Sequence, residues 1–163
     1  MILYHGSYTV VENPELSFSR LRTDFGKGFY LTPLKDQAKR WAARFLREQG
    51  TAALSIYEFL PNSANELSPE MEVLKFDTYS LEWLNFIMAC RLGKPVDAKW
   101  DLVIGGVAND KVFDTLQLYF DKLITAAEAI GRLQFEKPNL QYCFKSQPLI
   151  DNYLHFTASE ILK

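Results

Sequence analysis

The chain has little of what builds the commonest special-purpose sites. Its 163 residues include two cysteines, Cys90 and Cys143, and two histidines. Each Cys sits in an apolar stretch with no second Cys nearby and no His at ligand spacing. That argues against a structural disulfide or a zinc centre and favours reduced thiols. Charge of one sign is lacking too: 18 Lys and Arg face 20 Asp and Glu, a formal balance of −2. Bulk attraction to nucleic acid is therefore not expected. No apolar run approaches the roughly 20 residues that a membrane span needs, and no basic-plus-apolar leader opens the chain, so a cytoplasmic protein without a membrane partner is expected. Repeats, low-complexity tracts and Ser/Gly linkers are missing, and the length suits one domain over residues 1–163.

What is plentiful is aromatic: twelve Phe, eight Tyr and three Trp, enough for a well-filled core and a ring-lined cleft. Met1–Ser7 reads as a strand, followed by an irregular stretch with Pro14 as a breaker. Gly28–Leu31 reads as the next strand. Thr32 and Pro33 then start a helix, with Thr as cap and Pro at its first position. Leu34, Ala38, Trp41, Ala42 and Phe45 give that helix an apolar face, and Gly50 ends it. Lys39, Arg40, Arg44 and Arg47 read as its solvated stripe.

Strands follow at Ala52–Leu60 and Val73–Phe76. Asp77 or Ser80 caps a helix that buries Leu81, Leu84, Phe86, Ile87 and Met88 and stops at Gly93. A compact apolar strand spans Asp101–Gly105. One helix starts at Asn109 and Asp110 and runs through Phe120; another is capped by Thr125 and ends near Phe135, with Pro138 beyond. Leu140–Phe144 reads as a strand, Gln147–Tyr153 as one or two helical turns, and Leu154–Thr157 as a last short strand. Strands outnumber helices without alternating with them, which predicts an α+β fold with a mixed or antiparallel sheet.

Three segments carry candidate chemistry. In His5-Gly6-Ser7, the imidazole and hydroxyl suit sugar hydroxyls, and Gly6 exposes main-chain N–H and C=O that match a primary carboxamide. A lone His beside Gly is more often structural. In Gly26-Lys27-Gly28-Phe29-Tyr30, no Gly-Lys-Ser/Thr follows and no third Gly opens a helix, which excludes a phosphate loop and a dinucleotide fingerprint. There Tyr30 could stack on a flat heteroaromatic ring; the bland alternative is two core rings, Phe29 and Tyr30, on opposite faces. In Leu140–Phe144, Gln141 is the polar exception, either a satisfied amide or a group aimed into a cleft.

In this order the segments resemble the ADP-ribosyltransferase superfamily, in its poly(ADP-ribose) polymerase and diphtheria-toxin branch, which carries His, Tyr and Glu on successive motifs. Leu3–Ser7 resembles the first, Phe25–Tyr30 with the helix after it the second, and Gln141–Phe144 the third. The chain is also similar to a little-characterised bacterial family of small single-domain proteins, through Asp24–Thr32, Trp83–Arg91, Gly106–Asp110 and the Gln141 strand. Members of that family are suspected toxins acting beside a small antitoxin.

The resemblance implies a split, mixed or antiparallel β-sheet core with flanking helices. It implies a mono-ADP-ribosyltransferase that cleaves NAD, its substrate, and passes ADP-ribose to a protein or nucleic-acid acceptor. Catalysis would fall to His5, Tyr30 and Gln141, and NAD binding to His5, Gly6, Ser7, Gly28 and Tyr30. Gln141 departs from the pattern, since an amide accepts a hydrogen bond but brings no charge. The loss in transition-state stabilisation is on the order of 2–4 kcal/mol, or ~10²–10³-fold in rate. Asp24, Asp110 and Glu136 are the carboxylates that could compensate, and Arg22 and Arg91 are candidates for the NAD pyrophosphate. The alternatives are a weak or inactive NAD- or ADP-ribose-binding sensor, and an interaction domain without a ligand.

Overall fold

The structure is a computed structural model and describes residues 1–61, 71–134, 136 and 139–163. Among the described residues it is α+β, with seven strands in two sheets and five α-helices. The strands are β1 (Ile2–Ser7), β2 (Phe29–Leu31), β3 (Ala52–Phe59), β4 (Val73–Lys75), β5 (Leu102–Gly106), β6 (Leu140–Phe144) and β7 (Leu154–Leu162). The helices are α1 (Lys35–Gln49), α2 (Leu81–Arg91), α3 (Asp110–Phe120), α4 (Ala126–Leu133) and α5 (Gln147–Tyr153).

One sheet has the order β1-β3-β7 and is antiparallel. The other has the order β2-β6-β5-β4 and is mixed, because β4 and β5 run parallel. A single antiparallel bridge between Tyr4 and Thr32 ties β1 to the end of β2. The four-stranded sheet separates two apolar cores. Cys143 and Val103 point to a core built with Trp83, Leu84 and Ile87 of α2, Val112 and Leu116 of α3, and Leu133 of α4. Tyr142, Phe144, Leu102 and Ile104 point the other way, onto Leu3, Tyr57 and Phe59 of the three-stranded sheet and Leu149 and Ile150 of α5. This alternation is what a strand buried on both faces demands.

Caps fall where side chains can reach orphan N–H groups. Ser80 accepts from Trp83, Asn109 from Val112, and Thr125 from Glu128. Gly50 ends α1 in the left-handed conformation at φ 73°.

The start of α1 differs from expectation. The helix begins at Lys35 behind Leu34, not at Thr32 and Pro33, because the N–H and C=O of Thr32 are both committed to the bridge with Tyr4. Its buried residues are Ala38 and Ala42, whereas Leu34 and Trp41 are exposed. The cause is Gly6: a Cβ there would stand 2.3 Å from the Ala38 carbonyl, so α1 lies directly on the backbone of β1 and only alanines fit between. In α2 the buried set is Trp83, Leu84, Ile87 and Cys90, with Leu81 exposed. β7 runs five residues beyond the expected Thr157, since its register with β3 continues to Leu162↔Ala52. The helix end expected near Phe135 and the Pro138 beyond it lie outside the described residues.

Candidate functional site

Strand pairing decides which side chains can meet. Tyr30 pairs with Cys143, so their side chains share a face, and Gln141, two residues along β6, shares it as well. Thr32 and its partner Tyr4 lie on this same face, and so does Gly6, two residues along β1. His5 therefore lies on the opposite side with Leu3. Its ring packs on Phe29 with centroids 4.4 Å apart, and its Nδ1 lies 2.8 Å from the Tyr30 carbonyl oxygen. Burial pushes its pKa below the ordinary imidazole value, and the bond to Tyr30 pulls it partly back. His5 thus meets Tyr30 through the main chain, while Tyr30 and Gln141 share one face of the paired strands.

The Tyr30 hydroxyl has structural work. It donates to the Gly26 carbonyl at 2.6 Å, accepts from the Phe25 N–H at 3.0 Å, and lies 2.8 Å from the Thr23 hydroxyl. Burial raises its pKa well above the phenol range, against the contacts with Thr23 and Phe25. The ring therefore braces the Thr23–Gly26 turn and packs against the core that holds Cys143, while Phe29 packs against the other core, so the two rings face opposite sides of the sheet. Lys145 braces the same loop from below: its ammonium donates to the Phe25 and Lys27 carbonyls, both at 2.6 Å, and pairs with Asp97 at 2.7 Å.

Gly28 and Gly6 make room for protein. A Cβ on Gly28 would stand 2.2 Å from the Cys143 sulfur and 2.9 Å from the Phe144 carbonyl oxygen. Ser7 is buried, its hydroxyl bonded to the Thr9 main chain. Both cysteines are buried and free, and burial pushes each thiol up to about 12.

Asp24 stands beside Gln141. The Gln141 Nε2 donates to the Asp24 Oδ2 over 3.5 Å, and the Ala108 N–H lies 3.4 Å from the same oxygen. The other oxygen, Oδ1, accepts from Arg91 through Nε at 3.0 Å and through Nη2. Arg91, a pyrophosphate candidate in the sequence, is thus held by Asp24 as a fork on one oxygen. The segment that presents Ala108 is fixed by Trp83, whose Nε1 donates to the Gly106 carbonyl at 3.2 Å, and by the Tyr79 hydroxyl, which donates to the Val107 carbonyl at 2.8 Å. Gly106 is required there, because a Cβ would fall 2.4 Å from the Tyr79 ring. Asp110 is exposed in the first turn of α3. Glu136 lies near enough to Tyr79 to help burial raise that phenol to about 12. Arg22 is exposed, and its Nε would lie 3.8 Å from a Cβ on Gly93.

Two further residues meet. The sequence pattern puts Trp41 in an apolar face and Arg44 in a solvated stripe, yet the Arg44 guanidinium sits 3.2 Å above the Trp41 ring centroid, with Trp41 half exposed. Their i, i+3 spacing was the available signal. Two open cavities lie elsewhere. One of about 770 Å³ is lined by Glu12, Glu15, Gln147, Asp151 and His155 among others; the second, of about 630 Å³, lies between Leu81 and α4. Neither is lined by His5, Tyr30 or Gln141. Among the described residues no group of three His, Cys, Asp or Glu could hold a metal, and no helix is long and apolar enough to cross a membrane.

Residues 1–156 match a family described as a protein of unknown function, DUF3990, and the chain belongs to that family. No curated protein and no solved structure matches the chain.

Proposed function

We propose that the protein is an NAD-dependent mono-ADP-ribosyltransferase of ADP-ribosyltransferase-like fold, working through the face that carries Tyr30 and Gln141. The observation that carries the reading is the convergence of Tyr30, Gln141 and Asp24 on one side of paired strands. The split into two sheets tied by the Tyr4–Thr32 bridge supports it, with Tyr30 on the second strand and Gln141 on a late one, whereas the His5 imidazole lies on the opposite face against Phe29 and takes no part. So does the buried Oε1 of Gln37, unpartnered among the described residues, whose Nε2 reaches the Leu140 carbonyl at 3.4 Å, next to Gln141. A buried acceptor left unsatisfied is costly and marks a place where a donor belongs.

NAD would supply the ADP-ribosyl group, with nicotinamide as leaving group. The chain's part is to position. The partly buried Tyr30 ring, whose orientation the Thr23–Gly26 turn fixes, would have to offer its edge or face to the nicotinamide. Asp24 holds the Gln141 amide nitrogen, which turns the amide oxygen away from Asp24 and leaves it as acceptor for a sugar hydroxyl. The Asp24 charge, which could stabilise a developing cation, is largely neutralised by Arg91. That pairing favours a second reading, a protein that binds NAD or ADP-ribose and turns it over slowly or not at all. Any toxin role, antitoxin and macromolecular acceptor belong to the first reading only.

Calorimetric titration with NAD and assay of released nicotinamide separate the two. The transferase reading expects binding and release, both lost in Tyr30→Ala. Binding with no release in any cell extract selects the second reading. Absence of NAD binding refutes both.

A further inference from the structure

Helix α1 carries a stripe that the packing of the fold leaves unused. Gln37, Trp41 and Arg44 follow at spacings of four and three and so share a helix face. At one end, Gln37 touches the Leu140 carbonyl beside Gln141 and keeps its buried Oε1 without a partner among the described residues. At the other, the partly buried Arg44 lies over Trp41. Neither Arg44 nor Arg20 takes part in any ion pair among the described residues.

The charges around Arg44 come from every side. Burial lowers its pKa first; Glu48 on its own helix and Asp110 at the start of α3 raise it, and Arg20 from the loop before β2 lowers it. The Arg44 guanidinium, stacked on Trp41, is committed to no ion pair among the described residues, so its donors remain open to an anion. A stacked, partly desolvated guanidinium also keeps its rigid fork of N–H donors for a phosphate. At 1.5 Å per residue, Arg44 stands about 10 Å along α1 from Gln37, on the scale of one nucleoside.

We propose that Arg44, seated on Trp41, is the diphosphate-binding subsite of the NAD site, in place of the Arg91 that Asp24 has claimed. The assignment rests on the NAD reading above, and its test separates the two. Calorimetry with NAD, nicotinamide, ADP-ribose, ADP, inorganic pyrophosphate and a short oligonucleotide is run on the full chain, on Arg44→Gln and on Arg20→Gln.

The expected result for Arg44→Gln is at least a tenfold loss of affinity for ADP-ribose and pyrophosphate, with nicotinamide binding and melting temperature unchanged. Arg20→Gln should lose less. If Arg44→Gln melts early, Arg44→Lys replaces it; keeping the charge but not the fork, it should bind with intermediate affinity. Wild-type binding of ADP and pyrophosphate that depends on Arg44, without binding of nicotinamide or NAD, would uphold the anion subsite and sink the NAD reading. An Arg44→Gln protein that binds ADP-ribose like wild type overturns the inference. So does a wild type that binds none of the phosphate ligands, or one whose Arg44-dependent ligand is an oligonucleotide and not ADP-ribose.

Discussion

Replacing Gln141 by Glu supplies the charge that the resemblance to ADP-ribosyltransferases calls for, yet the surroundings oppose it. Gln141 is 8% exposed, and its amide nitrogen donates to Asp24, whose side chain is 16% exposed. A carboxylate in its place would face another across the same gap. Two like charges about 4 Å apart repel by about 4 kcal/mol at an effective dielectric of ~20. Arg91 attracts both and offsets roughly half, leaving about 2 kcal/mol against the ionised form. Protonated, the introduced carboxyl has the shape of the amide and donates to Asp24 as Nε2 does. Its folded-state pKa is therefore raised above the unfolded value of about 4.3. A raised carboxyl pKa means that stability is present below the unfolded pKa and is lost as pH rises through the folded one. Urea unfolding of Gln141→Glu should match wild type near pH 4 and fall short by about 2 kcal/mol at pH 8. Adding Asp24→Asn should recover the loss at pH 8. Equal deficits at both pH values, or none at pH 8, would refute the contact between Gln141 and Asp24.

Three further outcomes follow from single contacts. Gly28→Ala forces a methyl into the Cys143 sulfur and the Phe144 carbonyl, both fixed in the core, and should cost about 3 kcal/mol in chemical denaturation; a loss below 1 kcal/mol contradicts the close approach of β2 to β6. Lys145→Met strips the cation from two loop carbonyls and leaves Asp97 unpaired, for a loss of about 3 kcal/mol and faster proteolysis around residues 23–28. His5 has a folded-state pKa below its unfolded value, so the unfolded chain binds the proton first and stability falls as pH drops below about 6.5. His5→Gln should flatten that part of the stability–pH curve relative to wild type, and an unchanged slope would place the imidazole in water.

The local grammar of the chain was readable. β6 and α5 have the bounds that their apolar runs and flanking residues predict, and the caps at Ser80, Asn109 and Thr125 sit where orphan N–H groups need them. What was not readable depends on distant partners. Thr32 has the chemistry of a cap, but Tyr4 had already taken its backbone. Trp41 has the chemistry of a core residue, but Gly6 draws α1 so close that only Ala38 and Ala42 fit inside. The site divides in the same way. Gln141 stood out as the polar residue of an apolar strand. That Asp24 meets it, and that Arg91 claims Asp24, depends on the register of β2 with β6 and on the path of the loop before Phe29.

The distribution of charge ties the two proposals together and separates affinity from rate. At the Gln141 end, Asp24 and Arg91 cancel and the amide is neutral, so little field is aimed at a cation forming on a sugar. At the Arg44 end, the guanidinium stacked on Trp41 stands without an ion-pair partner among the described residues, so in the proposed site a diphosphate is held equally before and after any bond breaks. Interactions equal in ground and transition states lower KM without raising kcat. Arg44→Gln should therefore raise KM for NAD with kcat nearly unchanged. In the transferase reading, Asp24→Asn should act on kcat, because it changes the charge beside Gln141. If Arg44→Gln lowers kcat and leaves KM alone, the diphosphate end is not where binding energy is gathered, and the division of labour along α1 is wrong.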